Sequence, residues 1–182
     1  MDDRRVKIGM SFFLAAEAMF FAGLISAYWV LKSQIVPWPP IGQPRLPILV
    51  TGINTGILLL SGAAITRTGP ALRKGCYLCL VAALGLAALG SLLFLAIQGY
   101  EWVHLIRFGL TTVKNVYGGT FYFIIGAHAL HVVAALIVLL AVFFRAIQHR
   151  YDESNHSAVT VARIFWLFVV GVWPILYALV YF

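Results

Sequence analysis

Between Tyr117 and Val133 the chain reads YGGTFYFIIGAHALHVV. An apolar run here carries two histidines, His128 and His131, behind three glycines, Gly118, Gly119 and Gly126. The run extends over about residues 118–144, more than the roughly 20 residues an α-helix needs to cross a bilayer core. Polar side chains at that depth are costly unless protein or water satisfies them. The segment therefore defines both the kind of fold and the first place to look for function.

Outward from it, four further runs have spanning length, at about 8–31, 48–66, 75–97 and 161–181. They predict an all-α integral membrane protein, a bundle of five transmembrane helices forming a single transmembrane domain over 1–182. The chain is 62% hydrophobic and only 10% charged, whereas soluble domains average roughly 45–50% apolar and about 25% charged. Its solvent is lipid. Between the runs lie Ser33–Pro47, Arg67–Lys74, Gln98–Val116 and Arg145–Thr160. Pro37, Pro39, Pro40, Pro44 and Pro47 exclude a helix from the first of these. Pro174 is expected to kink the last helix or mark its rim. The first run lacks a small-x-small cleavage site, which predicts a retained helix instead of a removed signal peptide.

The net charge of +7 does not point to nucleic acid, because the basic residues fall between the apolar runs. Nine lie on one side: Arg4, Arg5, Lys7, Arg67, Arg73, Lys74, Arg145, Arg150 and Arg163. Four lie on the other: Lys32, Arg45, Arg107 and Lys114. Positive loops stay cytoplasmic and acids such as Asp152 and Glu153 count little. The N-terminus is thus expected inside and the C-terminus outside, in the periplasm.

Within the spans, few side chains are ionisable. Glu17 sits in SFFLAAEAMFFAG on the first helix, where a centred carboxyl costs about 2.5–3.5 kcal/mol on insertion scales. It is either a proton-active group beside a proton pathway or a carboxyl gripping a neighbouring helix. His128 and His131, at i and i+3, share roughly one helix face. Two ligands do not make a zinc site, and neither Cys nor carboxylate joins them on this helix. A bis-histidine haem needs a second histidine from a facing span, and none of the other runs has one. Hydrogen bonds to another helix, or lipid headgroups, are the expected partners, with Glu17 foremost. Gly118, Gly119 and Gly126, with Ala127 and Ala129, suit close approach of another backbone. No strand or GxGxxG precedes them, so they form no phosphate loop. Glu101 and His104, in AIQGYEWVHLIRF, are one turn apart and pair if the helix persists, with Tyr100 and Trp102 in the interfacial belt. Cys76 and Cys79 form one CxxC at a helix entrance, which implies no disulfide framework. No nucleophile–base arrangement and no cofactor motif is present.

The order of these motifs resembles subunit III of the haem–copper terminal oxidases, the cytochrome c oxidase and quinol oxidase subunit III family. EAMFFAGLISAY is similar to that family's acidic helix. WPPIGQPRLP followed by GINTGILLLSGAAIT resembles its Trp-Pro-Pro-x-Gly loop and Asn-Thr…Ser-Gly helix. QGYEW resembles its Gln-x-x-Glu-Tyr element, and YGGTFYFIIGAHALHV its Tyr-Gly-Ser-Thr-Phe…Gly-x-His-Gly-x-His-Val signature. The resemblance covers nearly the whole chain. Many members have seven helices; this chain begins at the equivalent of the third, a form similar to the short five-helix subunits III of bacterial oxidases. In RIFWLFVVGVWPILY, Leu167 and Val170 stand where the family usually has a His and an Asp. That departure also fits a subunit-III-like protein accompanying nitric oxide reductases.

The resemblance implies a non-catalytic accessory subunit of a terminal oxidase in an aerobic respiratory chain, in the bacterial cytoplasmic membrane. It implies no cofactor in this chain, haem and copper in partner subunits, and packing on the catalytic subunit I. It further implies phospholipid held between helices and support of proton uptake and of stability during turnover. The family's membrane carboxyl maps to Glu17, its signature histidines to His128 and His131, and its loop acid to Glu101. A competing expectation from another class is a small proton-coupled transporter built on Glu17 and the two histidines; inverted repeats would favour it, and none is visible.

Overall fold

The computed structural model describes residues 3–40, 42–44, 46–113, 115–151 and 155–182. Arg45, Lys114, Asp152 and Glu153, which entered the orientation argument, lie outside the described residues, as does the side chain of Arg4. Among the described residues the secondary structure is entirely helical. The helices are α1 (Asp3–Gln34), α2 (Ile48–Thr66), α3 (Thr68–Arg73), α4 (Tyr77–Arg107), α5 (Val116–Ile147) and α6 (Ser157–Tyr181). Five are long and apolar enough to cross a membrane; α3 is a six-residue link between α2 and α4.

Two spans are longer than the apolar runs alone indicate. α1 begins at Asp3 and α4 continues to Arg107, because polar residues can extend a helix past the hydrocarbon region once its interior is nucleated. The extension places His104 inside α4, so a second long helix does carry a histidine, at its exposed rim. α5 starts where Asn115 caps it, its Oδ1 accepting from Gly118 N–H at 2.8 Å. α4 stops at Gly109, whose φ of +88° is the left-handed turn that favours glycine. Leu110 N–H then donates to the Leu105 carbonyl at 3.0 Å. α5 ends by the same turn on His149 (φ 55°), whose ring stacks on Tyr77 at 3.8 Å. α6 runs without interruption through Pro174.

The core lies where α2, α4, α5 and α6 meet. α2 shows how: Thr51, Asn54, Thr55, Leu58, Ser61, Gly62 and Ile65 are buried, a three–four repeat that puts polar and small residues on the same face as Leu58 and Ile65. Small residues bring backbones together. A Cβ at Gly90 of α4 would lie 2.6 Å from Ser61 Cβ, and one at Gly62 would lie 2.9 Å from Val170 Cγ1 of α6. Val170, in a position where an acid resembles the family better, is thus a packing residue, and Leu167 is turned outward. α1 stands at the edge of the bundle, against α5 and α6, with 6% of its apolar window buried.

Candidate functional site: a carboxyl–imidazole pair and its aromatic backing

α5 carries the site because its spacing puts His128 and His131 toward neighbours at different depths. His131 reaches the edge helix: its Nε2 lies 2.7 Å from Glu17 Oε2. Its Nδ1–H donates to the Ala127 carbonyl at 2.7 Å, one turn back on the same helix. A carbonyl can only accept, so Nδ1 must be protonated and the tautomer is fixed. The remaining contact then holds one proton, either as a carboxylic acid donating to a neutral imidazole or as an imidazolium donating to a carboxylate. The two forms carry the same net charge. Both groups are only partly exposed, at 16% and 21% of their side chains, and Phe20 and Phe21 line the pair at 5.8 and 5.0 Å from the imidazole.

His128 goes the other way, into the bundle. It is 1% exposed and neither ring nitrogen reaches a protein partner. Its ring lies on Trp173 at 4.9 Å and meets the edges of Phe94 and Phe21 at 6.2 and 6.3 Å. Trp173 Nε1–H donates to Thr55 Oγ1 at 2.8 Å, and Thr55 in turn donates to the Thr51 carbonyl at 2.8 Å. Asn54 Nδ2 donates to the Phe94 carbonyl at 3.1 Å. This Thr55–Trp173 and Asn54 network ties α2 to α6 and α4. Sequence reasoning missed it, although its signal is present as polar residues at three–four spacing along α2.

The structure separates the remaining candidates. Glu101 is buried and lies within electrostatic reach of Tyr181, close to Gln98, whose Nε2 donates to Tyr181 Oη at 3.3 Å. His104 does not join it: that ring is exposed and packs on Phe108 at 4.6 Å. Gly118 and Gly119 admit a neighbour, but that neighbour is the loop before α5. A Cβ at Gly118 would collide with the Thr111 carbonyl, and one at Gly119 would lie 3.1 Å from the Thr112 carbonyl. Gly126 faces Trp102 of α4 at an ordinary 3.7 Å. Trp38 of the proline-rich loop lies 5.8 Å from Tyr28 of α1 and 5.1 Å from Tyr117 of α5, joining the two helices that hold the pair.

Cys76 and Cys79 depart from expectation: they are disulfide-bonded across the first turn of α4. The bridge spans a separation of three residues, so it is a local staple, possible because the N-cap and the third helical position point to one side. Among the described residues no three His, Cys, Asp or Glu side chains converge as metal ligands. What the arrangement offers chemically is a proton held between two helices, backed by aromatic rings.

Residues 3–182 match the profile of the family described as Cytochrome c oxidase subunit III. The chain is similar to cytochrome c oxidase subunit 3 of Synechocystis sp., 38% identical over 174 residues, 95% of this chain and 73% of the relative. It is 34% identical to that of Thermostichus vulcanus over 181 residues, 96% of this chain and 85% of the relative. Against the protein of the same name from Lemur catta identity is 32% over 184 residues, 97% of this chain but 65% of the relative.

Proposed function

The chain belongs to the cytochrome c oxidase subunit III family, and from that premise we propose that it works as a non-catalytic accessory subunit of a haem–copper terminal oxidase. It is a multi-pass membrane protein of the respiratory chain, and its partners are other oxidase subunits. The observation that carries the proposal is the match over residues 3–182, in a chain whose interior offers a proton-holding pair. The relatives' names favour cytochrome c over quinol as the electron donor to the complex. They favour an oxidase over a nitric oxide reductase or a transporter as the assembly.

The finer reading assigns residues. The five spans form a single transmembrane domain in the bacterial cytoplasmic membrane, N-terminus inside, packed on the haem–copper subunit I. Haem and copper belong to the partners. Glu17 and His131 hold a transferable proton between α1 and α5 and support proton uptake and durability during turnover; His128 and Glu101 are buried polar supports. Gly118 and Gly119 fix the approach to α5, Gly126 its contact with α4, and phospholipid fills the clefts between helices.

The test is purification in mild detergent through a tag on this chain. A haem–copper subunit is expected in stoichiometric amount, with the haem spectrum following that partner. Haem or copper bound stoichiometrically to the isolated chain would refute the accessory role, as would substrate flux from the chain reconstituted alone.

A further inference from the structure

Cys76 and Cys79 stand where α3 turns into α4, at the end of the bundle that also carries Arg67, Arg73 and Lys74. Gly75, at a φ of +61°, reverses the chain there, and Cys76 N–H donates to the Ala71 carbonyl at 2.9 Å. Cys76 is the N-cap of α4 and is partly exposed; Cys79 lies in the first turn and is exposed. Both line an apolar groove of about 680 Å³ together with Arg67 and Lys74. The bridge is thus open to solutes at a basic surface.

The fold has little structural use for that bridge. A disulfide stabilises mainly by closing a loop in the unfolded chain, and less so for short loops; this one closes a separation of three residues. Other contacts already hold the start of α4. Tyr77 Oη donates to the Ile147 carbonyl at 3.0 Å, the same ring stacks on His149 at 3.8 Å, and Leu80 N–H donates to the Cys76 carbonyl at 3.1 Å. α4 also begins with no side-chain cap and no acid in its first turn. Its first N–H groups and the positive end of its dipole therefore lack an anion. A thiolate at Cys76 supplies one, since helix N-termini and neighbouring lysines stabilise thiolates. Reduction gives the helix what the bridge withholds. In a reducing compartment a CxxC serves redox or metal chemistry more often than structure.

We infer that Cys76 and Cys79 form a thiol–disulfide exchange site for a small anionic thiol of the glutathione type, drawn to the bridge by Arg67 and Lys74. The inference rests on the orientation with the N-terminus inside, which puts the pair in the cytoplasm. A thiolate attacks the exposed Cys79 Sγ, the S–S bond breaks, and its electron pair leaves on Cys76 Sγ at the helix N-terminus. A second thiolate attacks the external sulfur of the mixed disulfide and releases Cys79 as a thiolate. The pair thereby gains two electrons and the two protons the thiols gave up, and two thiols become one disulfide. The same steps run backward when the oxidised reagent is in excess.

The experiment treats inside-out membrane vesicles holding the intact complex with glutathione or with cationic cysteamine, at equal thiolate concentration. Freed thiols are labelled with a membrane-impermeant maleimide and counted by mass spectrometry. Glutathione should open the bridge at least about tenfold faster than cysteamine, and Arg67→Gln with Lys74→Gln should bring the two rates within about twofold. Cys76→Ser keeps a hydroxyl that can cap α4. With glutathione disulfide it should hold glutathione on Cys79 as a lasting adduct, because no neighbouring thiolate displaces it; the wild type should re-form the bridge instead. A bridge that opens only after denaturation would overturn the site, as would equal rates for the two thiols or an unchanged preference in the double variant. Stoichiometric zinc or copper(I) on the reduced pair, retained against glutathione, would make it a metal site and end the proposal. Labelling in intact spheroplasts but not in inside-out vesicles would refute the orientation, and with it the cytoplasmic thiol, while exchange at the pair is still read separately.

Discussion

His128 and His131 show how three residues of separation change what an imidazole can do. His131 has both nitrogens engaged, by Ala127 and Glu17. His128 has neither engaged by protein and is held by rings. A buried donor or acceptor left without its partner costs about 1–3 kcal/mol, whereas removing a buried polar group that has no partner forfeits no hydrogen bond. Glu17→Leu should therefore destabilise the complex by about 1–3 kcal/mol, read as a lower thermal midpoint, while His128→Leu should cost less than about 1 kcal/mol beyond the lost ring packing. A larger loss in His128→Leu would show that its nitrogens are satisfied in the assembled complex. Glu17→Gln retains an N–H donor for His131 Nε2 but not a transferable proton. Wild-type assembly with faster inactivation during turnover is the expected result; equal lifetimes would confine Glu17 to structure.

Among the helices, glycine has two distinct uses. At Gly118 a side chain would strike a backbone carbonyl, Thr111, which cannot rotate away, while at Gly126 it would meet the far edge of Trp102 at 3.7 Å. Gly118→Ala should therefore lower the midpoint by an amount equivalent to about 2 kcal/mol or more, within the overpacking range. Gly126→Ala should be tolerated, and Gly126→Leu should act by displacing Trp102 from α5. Detergent-stability assays on the three variants decide this, and equal behaviour of the two alanine variants would contradict the geometry. The α2–α4–α6 core depends on Gly62 and Gly90 in the same steric way.

For the whole molecule, α1 holds the carboxyl of the pair yet has 6% of its apolar window buried, against 33–39% for the other spans. Lipid or other subunits must therefore complete its surroundings, and Phe12 and Met19, both over 70% exposed, mark the outer face. Orientation belongs to this scale as well. Nine basic residues against four predict, by the positive-inside rule, an N-terminus on the inner side. A reporter fused after Phe182 should be active only in the periplasm, and one fused in the Arg67–Lys74 link only in the cytoplasm. The reverse pattern would refute this orientation.

Hydrophobic run length alone determined the membrane class and the five spans, because a bilayer leaves few ways to satisfy a backbone. The motif order carried the family resemblance for the same chain. Helix ends were less legible: α4 persists through Glu101 to Arg107, since amphipathic residues continue a helix beyond the lipid. Tertiary structure decided which polar groups meet. Glu17 and His131 are 114 residues apart in sequence, and only the packing of α1 on α5 brings them to 2.7 Å. The packing of α6 against α5 and α2 turns His128 toward Trp173 and uses Val170 as a filler against Gly62. Periodicity fixes the face a side chain occupies, but the neighbour on that face depends on how the helices are arranged. The YGGTFYFIIGAHALHVV stretch thus announced two histidines in lipid, and the fold gave one a proton to share and the other an aromatic enclosure.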